Sequence, residues 1–526
     1  MTRVPNERTS IERCWSAAAN AAARSLVLGA VVAATAATTA SARADETPLV
    51  FAQPVYDEFP APFFPTMLRA RDLDGDGFAD LIVPARDPDG RLFTMRGLGN
   101  GRFAPLQELA VESFVDAIEL GDLDGDGRDD LVAVWKGDAP RLVLHRGLEG
   151  GLFAEAETLA DLARDPQGLA LADFDGDGDL DAATIAYVSA DCEIHFNDGK
   201  AGMTRVSRVG LGRFLGGFAY PRTVVAADLD GDGDADLVAN EIGGSRVAVL
   251  RNETGAAGGG RFVRATEYRA PLIGEERPGI ASLVVADLDG DGDLDAAVPA
   301  LLLNGQQKIV GFLNDGTGRF DERVVGDGAP LGYAFSLALA DLDGDGDLDA
   351  ATGAALPGLV AVARRTADGA FTFVNDALLP FGQLVRDLIA VDVDGDCDLD
   401  IVGIDGPARA VFTAINGTPG AGCGGGVAGG SSRRGVAVAR PNDGSAQPPA
   451  AEPAPEVGDL DGNGVRDAAD LALWLLGRSR VTSFDAAVQA PRAPVEPVAP
   501  VLDGADPADG SSSAPKASRA VKESRR

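Results

Sequence analysis

Along most of the chain, short apolar runs alternate with polar turns rich in Gly and Asp. Ser336-Leu-Ala-Leu-Ala340 precedes one such turn, and Asp80-Leu-Ile-Val83 follows another. A third run comes later in each period, as in Arg246-Val-Ala-Val-Leu250 and Lys308-Ile-Val-Gly-Phe-Leu313. Runs of this length, bounded by turn residues, predict strands rather than helices. A Gly/Asn-rich turn comes next, then a segment that usually opens on Phe: Phe103, Phe153, Phe262, Phe320 and Phe371. Met203 stands at the equivalent place in the third period.

The turn between the first two runs is itself the repeat. Asp72-Leu-Asp-Gly-Asp-Gly-Phe-Ala-Asp80 recurs from Asp122, Asp173, Asp228, Asp287, Asp341 and Asp392, at spacings of 50, 51, 55, 59, 54 and 51 residues. Position 2 is always apolar, position 4 is Gly, and position 6 is Gly in six copies and Cys397 in the seventh. Four strands in a period of about 50 residues is the measure of a propeller blade. The expected fold class is therefore all-β, a seven-bladed β-propeller of four-stranded blades over residues 45–419. Leu49-Val-Phe51-Ala-Gln-Pro54 resembles Arg102-Phe103-Ala-Pro105, whereas no Phe-led strand follows Ala410–Ile415. The N-terminal segment is thus predicted to complete the last blade, which would remove two open sheet edges.

Three alternate carboxylates and a fourth at position 9 bring many oxygens around one point. Glycines at positions 4 and 6 let the backbone turn tightly and aim the position-7 carbonyl inward. Hard oxygen donors in this number fit Ca²⁺ better than Mg²⁺, and without a cation they would repel. The predicted metal ligands are Asp72, Asp74, Asp76 and Asp80; Asp122, Asp124, Asp126 and Asp130; Asp173, Asp175, Asp177 and Asp181; and Asp228, Asp230, Asp232 and Asp236. The remaining three loops offer Asp287, Asp289, Asp291 and Asp295; Asp341, Asp343, Asp345 and Asp349; and Asp392, Asp394, Asp396 and Asp400. About seven Ca²⁺ are expected in this region, one per loop.

The pattern resembles the FG-GAP (VCBS-type) repeat of integrin α-chain propellers and many exported bacterial proteins. That resemblance implies a seven-bladed propeller with Ca²⁺ in the loop joining the first two strands of a blade, ligated from positions 1, 3, 5 and 9. Cys397 departs from its glycine at position 6.

Residues 420–456 are Gly-, Ser-, Pro- and Ala-rich and read as a linker. In 457–478 stands a second type of loop, with oxygens from Asp459, Asp461, Asn463, Asp467 and Asp470, Gly464 at position 6 and the Val465 carbonyl at position 7. This fits a 12-residue EF-hand loop holding one further Ca²⁺. Ala468–Leu476 reads as its exiting helix, with Gly477 as the stop. A loop with only an exiting helix resembles one half of a type I dockerin, which implies a cohesin-like partner; the second half is absent. Residues 479–526 are Ala/Pro/Ser-rich and read as a disordered tail.

The net charge of −35, from 46 basic and 81 acidic residues, disfavours nucleic acid and anionic membranes as partners. Arg3, Arg8, Arg13 and Arg24, the apolar run Ser25–Ala33 and Ala42-Arg43-Ala44 have the order of a signal peptide over residues 1–44. The mature chain is then secreted or at the cell surface, with no integral membrane span. Cys192, Cys397 and Cys423 remain after cleavage, and an exported protein can oxidise them. A Cys397–Cys423 bridge would latch the chain beyond the last blade; a bridge using Cys192 is the competing pairing.

Only two histidines occur, His145 and His195, and both fall within third strands as ordinary strand residues. No nucleophile elbow, P-loop or zinc-protease helix is present. The expectation is a non-catalytic scaffold that binds an extracellular protein or glycan. The alternative is a carbohydrate-active protein, or a cohesin-docked component, with a carboxylate site on the loops opposite the metal loops.

Overall fold

A computed structural model describes residues 49–419, apart from 61–62, 86–89, 164, 188, 212–220, 242–244, 256–257, 264–265, 274–277, 281, 303–306, 328–333, 355–357, 367–368 and 381–383. The expected signal peptide, linker, EF-hand-like loop and tail lie outside the described residues, as does Cys423. All elements named in the described residues are strands. No described helix is long and apolar enough to cross a membrane.

Strand β1 (Val55–Glu58) is followed by sets of strands that repeat with the period of the Asp loops. The first set is β2 (Arg69–Arg71), β3 (Asp80–Pro84), β4 (Arg91–Gly97) and β5 (Phe103–Ala110). The second is β6 (Phe114–Gly121), β7 (Asp130–Lys136), β8 (Arg141–His145) and β9 (Glu157–Asp161). The third is β10 (Pro166–Ala172), β11 (Asp181–Ala186), β12 (Asp191–Phe196) and β13 (Arg205–Gly210). The fourth is β14 (Pro221–Ala227), β15 (Asp236–Glu241), β16 (Arg246–Leu250) and β17 (Thr266–Arg269). The fifth is β18 (Gly279–Ile280), β19 (Val284–Ala286), β20 (Asp295–Leu301), β21 (Gln307–Asn314) and β22 (Phe320–Asp327). The sixth is β23 (Ala334–Ala340), β24 (Asp349–Ala354), β25 (Leu359–Arg365) and β26 (Phe371–Pro380), and the last is β27 (Val385–Val391), β28 (Asp400–Asp405) and β29 (Ala410–Ala414).

Each set is an antiparallel meander, the form that short strands with tight turns favour. Second strands such as β3, β11, β15, β24 and β28 are buried at every position. They are covered on both faces, so they read as nearly continuous apolar runs instead of alternating ones. Outer strands such as β13 and β17 are largely exposed and correspondingly polar. Apolar clusters bridge consecutive sets. Leu81 and Val83 of the first set pack with Val402, Ile404 and Val411 of the last, and Ile185 and Ile194 of the third pack with Val224 and Leu250 of the fourth. This is a propeller of four-stranded blades.

Two features depart from the expected seven separate sheets. Five sheets have four strands, but the fifth and sixth sets form one nine-stranded sheet. They join through a single parallel pair, Gly326 with Phe371. A Cβ on Gly326 would stand 2.6 Å from Phe371 Cβ, so the missing side chain is what admits this approach. The ninth strand arises because the innermost strand of the fifth set is split into β18 and β19, both paired with β20.

The N-terminal strand pairs with the last one, β1 with β29, in the register Val55↔Thr413 to Glu58↔Ala410. It begins four residues after Phe51, which itself makes only an isolated bridge to Asn416. Pro54 intervenes, and a residue without N–H cannot donate to a ladder.

Candidate metal centres

Each Asp loop joins the innermost strand of a set to the second, and the position-9 Asp opens that second strand. The position-1 carboxylate ties the turn together. Asp72 Oδ1 accepts from Gly75 N at 2.8 Å and Oδ2 from Gly77 N at 3.1 Å. The same pair of bonds recurs at Asp122, Asp173, Asp228, Asp287, Asp341 and Asp392. Position 5 accepts from the position-7 N–H, as Asp232 does from Asp234 N at 3.0 Å. Position 6 is held at φ between 88° and 96° in the six glycines and at 75° in Cys397. The seventh loop therefore keeps the turn, at the cost of a left-handed non-glycine residue. Cys397 is disulfide-bonded, whereas Cys192 is a buried free thiol, which removes the pairing that used Cys192.

The position-9 carboxylates are nearly inaccessible, from 0% exposed at Asp80 to 2% at Asp349. Their oxygens accept two backbone N–H groups. Asp236 Oδ2 takes Leu229 N at 3.2 Å, and Oδ1 takes Asn252 N, just past the third strand, at 2.7 Å. Burial raises their affinity for protons more than these bonds lower it, and the acids at positions 3 and 5 add to the effect. Asp80 is pushed up to about 6, Asp181, Asp236 and Asp295 to about 7, and Asp349 and Asp400 to about 8. A bound cation would instead hold these groups ionised.

The donors fit such a cation. Carboxylate oxygens within 4.8 Å of one another come from Asp72, Asp74 and Asp80; from Asp122, Asp124 and Asp130; and from Asp173, Asp175 and Asp181. In the fourth and fifth loops the close trios are Asp228, Asp230 and Asp232, and Asp287, Asp289 and Asp291. Position 9 stands in the trio in the first three loops, and position 5 in the next two. Asp175 Oδ1 and Asp230 Oδ1 are buried without a hydrogen-bond partner, as a ligand atom facing a metal would be. An all-oxygen, multiply charged donor set suits a hard divalent ion.

A pH dependence follows. In the unfolded chain an Asp titrates near about 3.9. With folded values near 6 to 8, the metal-free native state holds more protons between these limits, so its stability falls as pH rises through that window. If the loops hold Ca²⁺, the sign reverses in an excess of it, because protons then compete with the metal. Melts in chelator are expected to run higher at pH 5.5 than at pH 8, and melts in calcium lower; parallel slopes would contradict this.

Two sets of residues were not singled out by the motif. Asn197, Asn252, Asn314 and Asn416 follow the third strands or end them. Each donates its main-chain N–H to a position-9 Asp and its side-chain amide to the position-2 carbonyl of the preceding loop, for example Asn252 Nδ2 to Phe174 O at 3.0 Å. Neighbouring loops are thereby stapled, and Asn252 and Asn416, each of which stands two residues before a Thr, are buried at 2% and 0% exposure. The signal was an Asn recurring 16 to 19 residues after position 9.

The second set lies at the other end of the innermost strands. There the pairing slips by one residue between Val115 and Ala117, Pro166 and Leu169, Pro221 and Val224, Ala334 and Ser336, and Val385 and Leu388. Bulges re-aim side chains and recur beside functional sites. These carry Asp116, Gln167, Arg222, Arg386 and Asp387. Lys136 Nζ lies 3.4 Å from Asp116 and 2.7 Å from Asp165, and Asp387 Oδ2 accepts from Leu68 N at 3.1 Å. Arg222 is exposed, and its charge acts on both Asp116 and Asp387. The histidines are elsewhere, each 1% exposed within a blade, and burial lowers their basicity.

The FG-GAP-like repeat family matches residues 72–133, 122–184, 228–298 and 300–352, so the chain carries FG-GAP-like repeats. No curated protein matches it. Similar solved structures include BBS1N in complex with ARL6DN, at 13% identity and a TM-score of 0.47 over 72% of this chain and 99% of that one. An Agrocybe aegerita lectin recognising non-reducing terminal N-acetylglucosamine is 20% identical, with a TM-score of 0.40 over 67% and 88% of the two chains. The periplasmic gluconolactonase PpgL of Pseudomonas aeruginosa is 16% identical, with a TM-score of 0.45 over 61% and 86%.

Proposed function

We propose that this chain is an exported, calcium-stabilised seven-bladed propeller that serves as a non-catalytic binding scaffold for an extracellular protein or glycan. The count of seven takes the nine-stranded sheet as two blades joined by one residue pair, each opening its second strand on a position-9 Asp. The observation that carries the calcium reading is the recurrence of one turn geometry in all seven loops, with buried unpartnered oxygens at Asp175 and Asp230. Each loop supplies Asp at positions 1, 3, 5 and 9 as ligands; the ion's part is to neutralise and cross-link them. The EF-hand-like loop from Asp459 to Asp470 would hold one more.

Binding rather than turnover is supported by how the other polar groups are used. The loop acids serve the metals, and the histidines are shut inside blades. We place the ligand face at the bulged strand starts, where Arg222, Asp116 and Asp387 gather without a histidine among them. The test is a glycan and extracellular-protein array probed with the calcium-loaded chain. A hit lost in Arg222→Ala, with an unchanged melting temperature, supports the reading. Release of product from any arrayed glycan would overturn it.

A further inference from the structure

In five loops an arginine of the same strand set is ion-paired with the position-3 carboxylate. Arg96 Nε lies 2.9 Å from Asp74 Oδ2 and its Nη2 2.8 Å from Asp76 Oδ2. Arg146 pairs with Asp124, Arg251 Nη1 lies 3.4 Å from Asp230 Oδ2, and Arg364 Nε lies 3.3 Å from Asp343 Oδ2. These four stand at one register position, directly before the residue whose N–H binds the position-9 Asp. In the third set Phe196 occupies that position. Arg205 of the next strand replaces the missing arginine, with its guanidinium 3.7 Å from the Phe196 ring centre and Nη2 2.9 Å from Asp175 Oδ2. In the fifth and last sets the position is Leu313 and Ile415. The charges acting on Asp289 and Asp394 there are those of other loop acids. Arg365 comes near Gly290 but pairs with Asp347 at 3.8 Å.

We propose that these arginines are built-in counter-ions that divide the loops into two calcium classes. This rests on the calcium reading above. In a clamped loop the guanidinium occupies the outer oxygen of position 3 and leaves Oδ1 facing inward, as at Asp175 and Asp230. The carboxylate stays aimed without metal, but the added positive charge opposes a second cation. Affinity in such loops follows ligand charge. Even at the dielectric of bulk water, a unit charge about 6 Å from a divalent ion weakens its binding roughly tenfold. The five clamped loops bind more weakly and keep their form when calcium is scarce. Loops 287–295 and 392–400, whose carboxylates have no arginine clamp among the described residues, bind tightly and need the ion. The second of these belongs to the sheet that β1 completes, which places one of the two ion-dependent loops at ring closure.

The test is calorimetric Ca²⁺ titration of the metal-free full chain, with the C-terminal loop silenced by Asp461→Ala. Two tight sites and about five sites roughly tenfold weaker are expected. Arg251→Gln should raise the tight count to three, Arg251→Lys should return it to two, and Leu313→Arg should reduce it to one. Arg251→Gln should also lower the melting temperature in chelator more than in calcium. Should that variant fail to fold, Arg96→Gln in the first loop asks the same question at a more exposed arginine. Seven equivalent sites, or a tight count that Arg251→Gln does not change, would overturn the two classes. A chain that binds no calcium at all would instead sink the calcium reading itself.

Discussion

Chelation is expected to lower the melting temperature of the full chain by tens of degrees, or to unfold it. Seven loops of four aspartates place 28 of the 81 acidic residues in candidate metal sites. Each bound ion stabilises the folded state by about 2.7 kcal/mol at a hundredfold excess over its dissociation constant. Several such sites together exceed the whole stability of a typical domain, about 5–15 kcal/mol. The loss is graded, because the arginine-clamped loops retain part of their neutralisation, and low pH partly compensates by protonating the buried position-9 acids. A scan in EDTA at pH 8 therefore shows the largest effect. An unchanged melt with metal loss confirmed by elemental analysis would refute the coupling.

The second large effect concerns closure. Deleting residues 49–58 should convert a folded monomer into an aggregating species. The segment contributes more than the β1 ladder. Val50 N donates to Thr418 Oγ1 at 2.9 Å, and Leu49 and Tyr56 pack on the cluster shared by the sixth and last sets. Asp57 reaches the first set, accepting from Phe103 N at 3.0 Å and pairing with Arg102 at 2.8 Å. Its loss would leave β29, buried at every position, as an open apolar edge. Size-exclusion chromatography with light scattering reads the outcome. A folded monomer lacking these residues would contradict closure by β1.

The parts of the fold that were legible in the sequence are those carried by local chemistry. Asp and Gly alternate only where a turn must wrap oxygens round a point, so all seven loops could be read from spacing. Phe103, Phe320 and Phe371 do open strands, as their position after the Gly turns suggested. What local sequence does not carry depends on partners distant in the chain. The arginine clamps join residues about 20 apart across two strands, and the Asn staples reach loops 74 to 85 residues earlier. The merger at Gly326 depends on how closely two outer strands approach. The charged bulge residues were visible as polar interruptions such as Arg386-Asp387 before apolar runs, but only the pairing registers gather them at one end of the strands.

Calcium counting by native mass spectrometry addresses the central claim most directly. The purified folded chain, exchanged into calcium and then into volatile buffer, should carry about seven Ca²⁺ in the propeller and one more on the EF-hand-like loop. Asp461→Ala should remove only the last. A folded chain carrying one ion or none would contradict the account.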